Sequence, residues 1–492
     1  MDRTFDLVAG FLRSVHAVPE RPALSIGPKE WSYAELDRLS AQVAAWCHVH
    51  CSDQSRVAVH GARTVWAYAA ILGILRSGRS YVPLHPEHPV QRWRTMLDMA
   101  GVRTVLCTSE HAAALAPLAP LSVVDERAFL AYAPSAEALG NVEAYLMFTS
   151  GSTGVPKGVP VGRSQLAAYL GYMGRTFPFT ITDRFSQFFA LSFDLSVHDL
   201  FVCWGAGACL CVPPADAALR AVSYVREQRI TVWFSVPSQV ALMRRMRSLT
   251  LGCMPDLRLA FFCGEALSTE LARAWCQAVP SAASFNLYGP TETTIAITVQ
   301  PLTSAVLDAQ DEVVPLGNVF PGHNAQVRND DALFPEGDGE LLLAGPQVNA
   351  GYLNDEASTT RCFRSVVPDG VHWYCTGDHV RMDADGMLHF KGRMDDQVKL
   401  NGHRVEPGEV DGVLEPLLNG GNAATVAVEQ DGAWRLVTFI DVPADTEPLF
   451  AALRSRLPEH MVPARIIHVE AFPYGPHGKL DRKALITLAK NG

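Results

Sequence analysis

The segment Leu257-Arg258-Leu259-Ala260-Phe261-Phe262-Cys263-Gly264-Glu265-Ala266 decides the fold, because it joins a β-rich run to a glycine loop. An amphipathic helical segment, Thr269 to Ala278, comes next along the chain. β-rich runs of the same kind recur upstream at residues 56–60, 102–106 and 230–234. Short strands that alternate with helices are typical of parallel sheets covered by helices. The sequence therefore predicts an α/β fold with parallel-type sheets.

The last third of the chain has a different texture. From about Gly339 short strands and turns dominate, and the polar, charged segment Gly392-Arg393-Met394-Asp395-Asp396 is typical of a domain boundary. A helix is predicted from Thr446 to Leu457. We predict a large core with a β-rich subdomain, a hinge and a small mobile α+β C-terminal domain, at residues 1–392, 393–396 and 397–492.

Composition excludes several classes of partner. The 492 residues carry a net charge of −10 without a lysine or arginine block, so we expect no nucleic acid partner. The most apolar run, Phe201 to Val212, is too short to span a bilayer, so we expect no membrane partner. Eleven scattered cysteines are typical of reduced thiols in a cytoplasmic protein.

A second glycine loop is Thr149-Ser150-Gly151-Ser152-Thr153-Gly154-Val155-Pro156-Lys157-Gly158. Glycines let backbone N–H groups turn towards an anion, and the hydroxyls and the lysine add donors. The spacing is not that of a Walker loop, because the lysine follows a proline. The segment predicts a mobile loop that grips phosphate groups.

These loops belong to an ordered series of motifs along nearly the whole chain. The series includes Phe193-Asp194-Leu195-Ser196, Asn286-Leu287-Tyr288-Gly289-Pro290-Thr291-Glu292, Tyr374-Cys375-Thr376-Gly377-Asp378 and Gly478-Lys479-Leu480-Asp481-Arg482. Because these motifs occur in this order, the chain resembles the adenylate-forming superfamily, and within it the amino-acid adenylation domains and the D-alanine–carrier protein ligases.

The resemblance implies a site for ATP and Mg²⁺, in which a substrate carboxylate attacks the α-phosphorus. Residues expected to grip the phosphates are Thr149, Ser150, Gly151, Ser152, Thr153, Gly154 and Lys157. Residues expected around the adenine are Gly264, Glu265, Ala266, Asn286, Leu287, Tyr288 and Gly289, with a stacking role for Tyr288. Asp378 would accept the ribose hydroxyls, and Arg393 would reach ribose or phosphate.

Three catalytic residues and one hinge residue follow from the same motifs. Glu292 would hold Mg²⁺ and Thr291 would lie near the α-phosphate. Lys479 would enter from the small domain and bridge the substrate carboxylate and ATP. Asp395 would be the pivot of the small domain between two half-reactions.

Asp194 sets the substrate class that the resemblance implies. In amino-acid activators the aspartate at this motif position binds the α-ammonium group; the alternative is an aspartate that caps a helix. The side-chain pocket would be lined by Leu195, His198, Phe234, Phe261, Cys263, Leu287, Ile295 and Ala296. This lining predicts a small neutral amino acid, proline-like or alanine-like, and His198 could either bond a hydroxyl or pack as a neutral ring.

The leading hypothesis is therefore an ATP-dependent amino acid–carrier protein ligase. No carrier, condensation or thioesterase motif is found, so we expect a free-standing enzyme that loads a phosphopantetheinylated carrier protein in trans. Two alternatives stay open: an acyl-CoA or amide-forming ligase of the same superfamily, and a nucleotide-binding protein without catalysis.

Overall fold

The computed structural model describes residues 7–133, 142–151, 155–329, 332–364, 370–400, 402–430, 433–474 and 480–491. The chain forms two compact units. The first comprises Met1–Pro86, Met99–Met147 and Val159–Met394, and the second comprises Glu87–Asp98, Phe148–Gly158 and Asp395–Gly492. In the described part of the chain, no helix combines the length and the hydropathy that crossing a bilayer demands.

The largest sheet has nine strands, and the six central ones run parallel. Its strand order is β15 (Asn318–Val319), β14 (Thr298–Pro301), β13 (Ala283–Tyr288), β12 (Leu259–Phe262), β11 (Val232–Ser235), β9 (Arg184–Ser186), β10 (Cys209–Val212), β1 (Pro22–Ile26) and β2 (Lys29–Ser32). Antiparallel pairs add β14, β15 and β2 at the two edges.

Two further sheets have six strands each. One has the order β6 (Ser122–Val124), β5 (Thr104–Leu106), β3 (Arg56–His60), β4 (Ser80–Leu84), β7 (Glu143–Thr149) and β8 (Lys157–Gly162). The other is antiparallel and contains β17 (Ala332–Phe334), β16 (Asn324–Asn329), β18 (Gly337–Ala344), β20 (Trp373–Met382), β19 (Phe363–Arg364) and, paired with β20, β21 (Leu388–Arg393). The second of these sheets is the predicted β-rich subdomain. This sheet includes β16 and β17, which lie before the predicted start at Gly339. The sequence did not indicate these two strands, because they carry too few buried apolar residues to show a strand pattern.

Fifteen α-helices are found among the described residues. They are α1 (Leu7–Ala17), α2 (Tyr33–His50), α3 (Val65–Arg76), α4 (Val90–Ala100), α5 (Ala112–Leu115), α6 (Arg163–Thr176), α7 (Leu195–Gly205), α8 (Ala221–Glu227), α9 (Pro237–Arg245), α10 (Thr269–Ala278), α11 (Ser304–Asp308), α12 (Glu356–Cys362), α13 (Pro407–Leu414), α14 (Thr446–Arg456) and α15 (Arg482–Asn491). Local sequence explains where several of them begin. The Ser268 hydroxyl, for example, accepts the Leu271 N–H and caps α10.

Strand alternation distributes side chains between two cores of the first unit. On β12, Leu259 and Phe261 join one buried cluster, while Ala260 and Phe262 join another. Successive side chains on a strand point to opposite faces, so helices must cover both faces of the large sheet. The predicted α/β class is confirmed.

The C-terminal part of the second unit is built on two small sheets. The hairpin of β22 (Val398–Leu400) and β23 (His403–Val405) precedes α13, and β24 (Ala423–Gln430), β25 (Ala433–Ile440) and β26 (Arg465–His468) form a three-stranded sheet. Separate apolar clusters lie on the two faces of that sheet, since Ala423 and Ala424 belong to different ones. This is an α+β arrangement with its own core.

Candidate functional site

Parallel strands bring the motif loops of the first unit to one edge of the large sheet. Phe234 of β11 pairs with Phe261 of β12, and Phe261 pairs with Phe285 of β13. The loops that begin at Cys263 and Gly289 therefore leave the sheet at the same edge. Ligands of open α/β sheets bind just beyond the carboxyl ends of the strands.

Asp194 is a buried carboxylate at the residue just before α7. The residue is only 8% exposed, and burial raises the pKa of its carboxyl to about 6. A hydrogen bond from the Thr291 hydroxyl opposes this rise, and the charge of Glu292 adds to it. Asp194 stands at the N-cap position without making a capping hydrogen bond, which argues against the helix-cap alternative. A cation beside this carboxylate would offset the cost of burying its charge.

Glu292 lies in a short 3₁₀ turn, Thr291–Thr293, and its side chain is completely buried. The Tyr352 hydroxyl donates to its Oε1 at 2.7 Å. Among the described residues, no group of three or more His, Cys, Asp or Glu side chains is arranged to hold a metal ion. Mg²⁺ needs only one or two carboxylates when phosphate oxygens and water complete its shell, so a buried Glu292 fits the ion predicted for it.

A buried glutamine that the motifs did not reveal holds the segment after Glu292. The Gln347 amide donates to the carbonyl oxygens of Thr293, Thr294 and Ala296, at 3.2, 3.1 and 2.8 Å. Thr294 returns a bond from its hydroxyl to the Gln347 carbonyl at 2.8 Å. Thr294 and Ile295 have φ values of 60° and 71°, a conformation unfavourable for these residue types, so the clamp compensates backbone strain.

Most residues predicted to line the side-chain pocket belong to the main buried apolar cluster of the first unit, and their role as a pocket lining stays a prediction. Members of the same buried cluster are Leu195, Phe234, Phe261, Cys263, Leu287, Ile295 and Ala296. His198 contacts two of these rings, with centroid distances of 4.6 Å to Phe234 and 5.6 Å to Phe261. Burial lowers the pKa of His198 to about 3, so its imidazole is neutral at physiological pH.

Asp378 joins two other predicted nucleotide residues in a hydrogen-bonded group. The Tyr288 hydroxyl donates to Asp378 Oδ2, and Arg393 lies 2.9 Å from Oδ1 in a salt bridge. Burial and the neighbouring Asp378 charge raise the pKa of Tyr288 well above its usual value, so its hydroxyl stays protonated. Each carboxylate oxygen has a second lone pair, which leaves capacity to accept ribose hydroxyls. The stacking role of Tyr288 stays a prediction.

Glu340 supports this group, and the motifs assigned it no role. Its Oε1 accepts the Gly377 N–H at 3.0 Å, and its other oxygen pairs with Arg328. Gly377 has a φ of 70°, which glycine adopts at little cost. Glu340 thereby fixes the turn that presents Asp378.

The other residues predicted to surround the adenine differ in their local contacts. Gly264 and Gly289 allow close approach: a Cβ on Gly289 would lie 2.6 Å from Ala296 Cα, and Gly264 has a φ of 92°. Glu265 accepts the Ser238 N–H of α9 at 2.8 Å, while Ala266 is exposed. Asn286 donates to the Pro315 carbonyl, and its own buried Oδ1 has no hydrogen-bond partner among the described residues. That oxygen is an acceptor suited to an amino group such as that of adenine.

The second unit contains the glycine loop. The Gly151 N–H donates to Glu409 Oε2 at 3.1 Å, and the Ser150 hydroxyl donates to the Arg404 carbonyl at 2.8 Å. Glu409 is completely buried and also pairs with Arg92 at 2.7 Å. In this structure the Gly151 amide therefore binds the Glu409 carboxylate, and the grip of the loop on phosphate stays a prediction.

Other residues of the predicted phosphate loop are only partly described. Thr149 ends β7, and Lys157 begins β8 with a buried side chain. Ser152, Thr153 and Gly154 lie outside the described residues, and so does Lys479. Asp395 begins the C-terminal segment of the second unit, where its Oδ1 accepts the Gln397 N–H at 3.2 Å.

Comparisons with known proteins agree with this arrangement. The family model for AMP-binding enzymes matches residues 11–353. The D-alanine–D-alanyl carrier protein ligase of Lactiplantibacillus plantarum is 31% identical over 480 residues, which cover 92% of this chain and 93% of that ligase. Phosphinothricin tripeptide synthetase PhsC of Streptomyces viridochromogenes is 34% identical over 504 residues, which cover 96% of this chain but 44% of PhsC.

Solved structures show the same likeness. The Vibrio cholerae adenylation domain AlmE, in complex with glycyl-adenosine-5'-phosphate, superposes with a TM-score of 0.87 at 29% identity, covering 100% of this chain and 99% of AlmE. IdnL7 is 33% identical, with a TM-score of 0.74 and 99% of each chain covered.

This chain belongs to the family of AMP-binding enzymes. It is an ATP-dependent, AMP-forming ligase, which confirms the resemblance and the enzyme class predicted from its motifs. Enzymes of this family use ATP and Mg²⁺, as predicted.

Proposed function

We propose that this ligase activates a small neutral amino acid, alanine-like or proline-like, with ATP to give an aminoacyl-adenylate and pyrophosphate. It then passes the aminoacyl group to the phosphopantetheine thiol of a separate carrier protein. The observation that carries the proposal is one buried carboxylate, Asp194, next to an otherwise apolar cluster. The names of the two relatives, a carrier protein ligase and a peptide synthetase, support the same activity.

The α-ammonium group and the side chain of the amino acid would contact different kinds of residue. Asp194 would bind the α-ammonium group, because opposite charges within a few ångströms offset the burial of each. The neutral apolar cluster around Phe234 and Phe261 would receive the side chain. Holding the substrate carboxylate in place next to the α-phosphorus is then most of the catalytic task.

The nucleotide side of the reaction is mainly charge neutralisation. Glu292 would hold Mg²⁺, which when bound neutralises phosphate charge. Asp378 would accept ribose hydroxyls while Tyr288 and Arg393 orient its carboxylate. Lys479 would stabilise the negative charge that the substrate carboxylate and the α-phosphate share as the new bond forms.

The second half-reaction releases AMP. The thiol sulfur attacks the acyl carbon, the bond from that carbon to the phosphate oxygen breaks, and the thiol proton leaves with solvent. We place the pivot between the half-reactions at residues 393–396, between a core of residues 1–392 and a lid of 397–492. The separation of the two compact units at Met394 and Asp395 supports this pivot. We also place the enzyme in the cytoplasm, since all eleven cysteines are free thiols.

Amino-acid-dependent exchange of pyrophosphate into ATP tests the proposal. We expect Asp194→Ala to lower kcat/KM for the amino acid at least about 30-fold, the equivalent of about 2 kcal/mol for a lost buried charge partner. The KM for ATP should change little. Asp199→Asn is the matched control: Asp199 is also buried on α7, burial raises the pKa of its carboxyl, and asparagine keeps the size of the side chain.

Undiminished exchange in Asp194→Ala would show that the ammonium role is wrong. Activation of carboxylic acids that lack an amine, in preference to amino acids, would instead identify an acyl-activating ligase. Supplying coenzyme A and a phosphopantetheinylated carrier domain side by side determines the acceptor, and we expect thioester on the carrier domain.

A further inference from the structure

His198 and Tyr169 form a buried pair within the apolar cluster that contains the predicted side-chain pocket. The Tyr169 hydroxyl lies 2.7 Å from His198 Nδ1, and both residues are completely buried. The other ring nitrogen, Nε2, is buried and has no hydrogen-bond partner among the described residues. Buried polar atoms are nearly always paired, so an orphan on a residue predicted to line the substrate pocket points to a group that the ligand supplies.

The protonation state of the pair follows from burial. Desolvation raises the pKa of Tyr169 well above its usual value, and it lowers the pKa of His198 to about 3. The tyrosine is therefore a neutral phenol and the histidine a neutral imidazole at physiological pH. A neutral imidazole carries its single proton on either Nδ1 or Nε2.

Counting hydrogen bonds selects the tautomer. If Nδ1 donated to Tyr169, the phenol proton and the Nε2 lone pair would both be buried without a partner. If Tyr169 donates to Nδ1, only the Nε2–H group is left over. The second arrangement leaves fewer buried groups without a hydrogen-bond partner, so Nε2 carries the proton and is a donor.

Within the described part of the chain, no acceptor pairs with Nε2–H. The ring packs against Phe234 and Phe261, and the rest of the cluster around it is apolar. A substrate hydroxyl would accept from Nε2–H through its oxygen, and its rotatable O–H can turn towards the carboxyl group of the same substrate. A side-chain amine or amide would instead bring two or more further donors.

We propose that the amino acid activated by this enzyme carries a single small oxygen acceptor on its side chain, a hydroxyl above all, which accepts from His198 Nε2–H. Tyr169 is the positioning residue that fixes the imidazole tautomer. The inference rests on the proposed function and narrows its substrate class from alanine-like amino acids to hydroxylated ones, of which serine and threonine are the simplest.

Pyrophosphate exchange with matched amino-acid pairs tests this inference in the full-length enzyme. Serine is compared with alanine, and threonine with 2-aminobutyrate and valine, in both configurations. We expect kcat/KM for the best hydroxylated substrate to exceed that of its oxygen-free counterpart about tenfold or more, because rejecting the hydroxyl-free analogue follows from leaving a buried donor unpaired. His198→Leu should bring this ratio close to one.

Tyr169→Phe separates positioning from packing. Removing one oxygen should lower the hydroxyl preference, while the melting temperature shows whether the core survives. Tyr172→Phe removes the same hydroxyl one turn along α6, on a ring stacked on Phe320, and should leave the ratio as in the parent enzyme. Nitrogen-15 NMR of the imidazole should show the proton on Nε2 in the parent and a mixed tautomer in Tyr169→Phe.

Each outcome has a separate meaning. Exchange that favours alanine, 2-aminobutyrate or proline over the hydroxylated acids overturns this inference and leaves the proposed function standing. An Nδ1–H signal in the parent enzyme also overturns it, whether or not the His198 variant folds. Absence of exchange with every amino acid overturns the proposed function, and this inference falls with it.

Discussion

At the scale of the single residue, Asp194 makes substrate capture depend on pH. Its carboxyl has a pKa of about 6 because it is buried, so the free enzyme loses its ammonium-binding charge below that pH. We expect kcat/KM for the amino acid to fall tenfold per pH unit below about pH 6, since kcat/KM reports groups of the free enzyme. Pyrophosphate exchange at low amino-acid concentration, measured from pH 5 to pH 8, gives this profile. A flat profile across pH 6 would contradict it.

The raised pKa of the Asp194 carboxyl also predicts how the free energy of unfolding depends on pH. A pKa raised above the unfolded value means that the folded state binds the proton more tightly between about pH 4 and pH 6. The contribution of Asp194 to the free energy of unfolding is therefore full below pH 4 and is lost as pH rises through 6, by roughly 3 kcal/mol in all. In Asp194→Asn this pH dependence should be missing from urea unfolding curves.

At the scale of the element, the Gln347 side chain holds the segment that follows Glu292. Replacing it by methionine keeps the volume but leaves the carbonyls of Thr293, Thr294 and Ala296 without their donor. We expect a loss of about 1–3 kcal/mol in the free energy of unfolding, and a fall in kcat/KM for the amino acid of about tenfold or more as Ile295 and Ala296 relax. Urea unfolding and pyrophosphate exchange measure the two effects.

Gln300→Met is the matched control for this loop. Gln300 is also buried, on β14, but its amide makes a hydrogen bond to the single carbonyl of Pro301. We expect a stability loss of at most about 1 kcal/mol and nearly parental exchange. Equal kinetic losses in both variants would show that Gln347 has no special part in holding the loop.

Local sequence predicts the elements but not the contacts between distant ones. The helix expected at Thr269 to Ala278 is confirmed as α10, and the run Arg56–His60 is confirmed as β3, because their propensity and capping signals are local. Gln347 lies some fifty residues beyond the loop that it clamps, and Tyr169 lies on a different helix from His198. No periodicity encodes such pairings, so the motifs predict pocket residues without the hydrogen bonds that hold their neighbours in place.

The candidate site shows the same difference between what local sequence predicts and what only the folded chain reveals. Motif order placed Phe234, Phe261 and Cys263 in one pocket, and strand alternation does bring them into one cluster. Glu265 was assigned to adenine, yet its carboxylate also caps α9 through Ser238. A side chain in a turn can serve the fold and a ligand together, and only the three-dimensional neighbours of that turn reveal the first role.

At the scale of the whole molecule, the two compact units have separate cores, and a buried ion pair lies entirely within the second. Arg92 and Glu409 come from distant parts of the chain and are 7% and 0% exposed. Arg92→Met would leave the buried Glu409 carboxylate without its cationic partner, so we expect the second unit to lose about 3–5 kcal/mol. Hydrogen exchange followed by mass spectrometry should then show faster exchange in β24 and β25, with β11 to β13 unchanged. Arg103→Met, which breaks the exposed pair with Asp53, should alter exchange by less than about 1 kcal/mol. Faster exchange throughout both units in Arg92→Met would mean that they unfold as one.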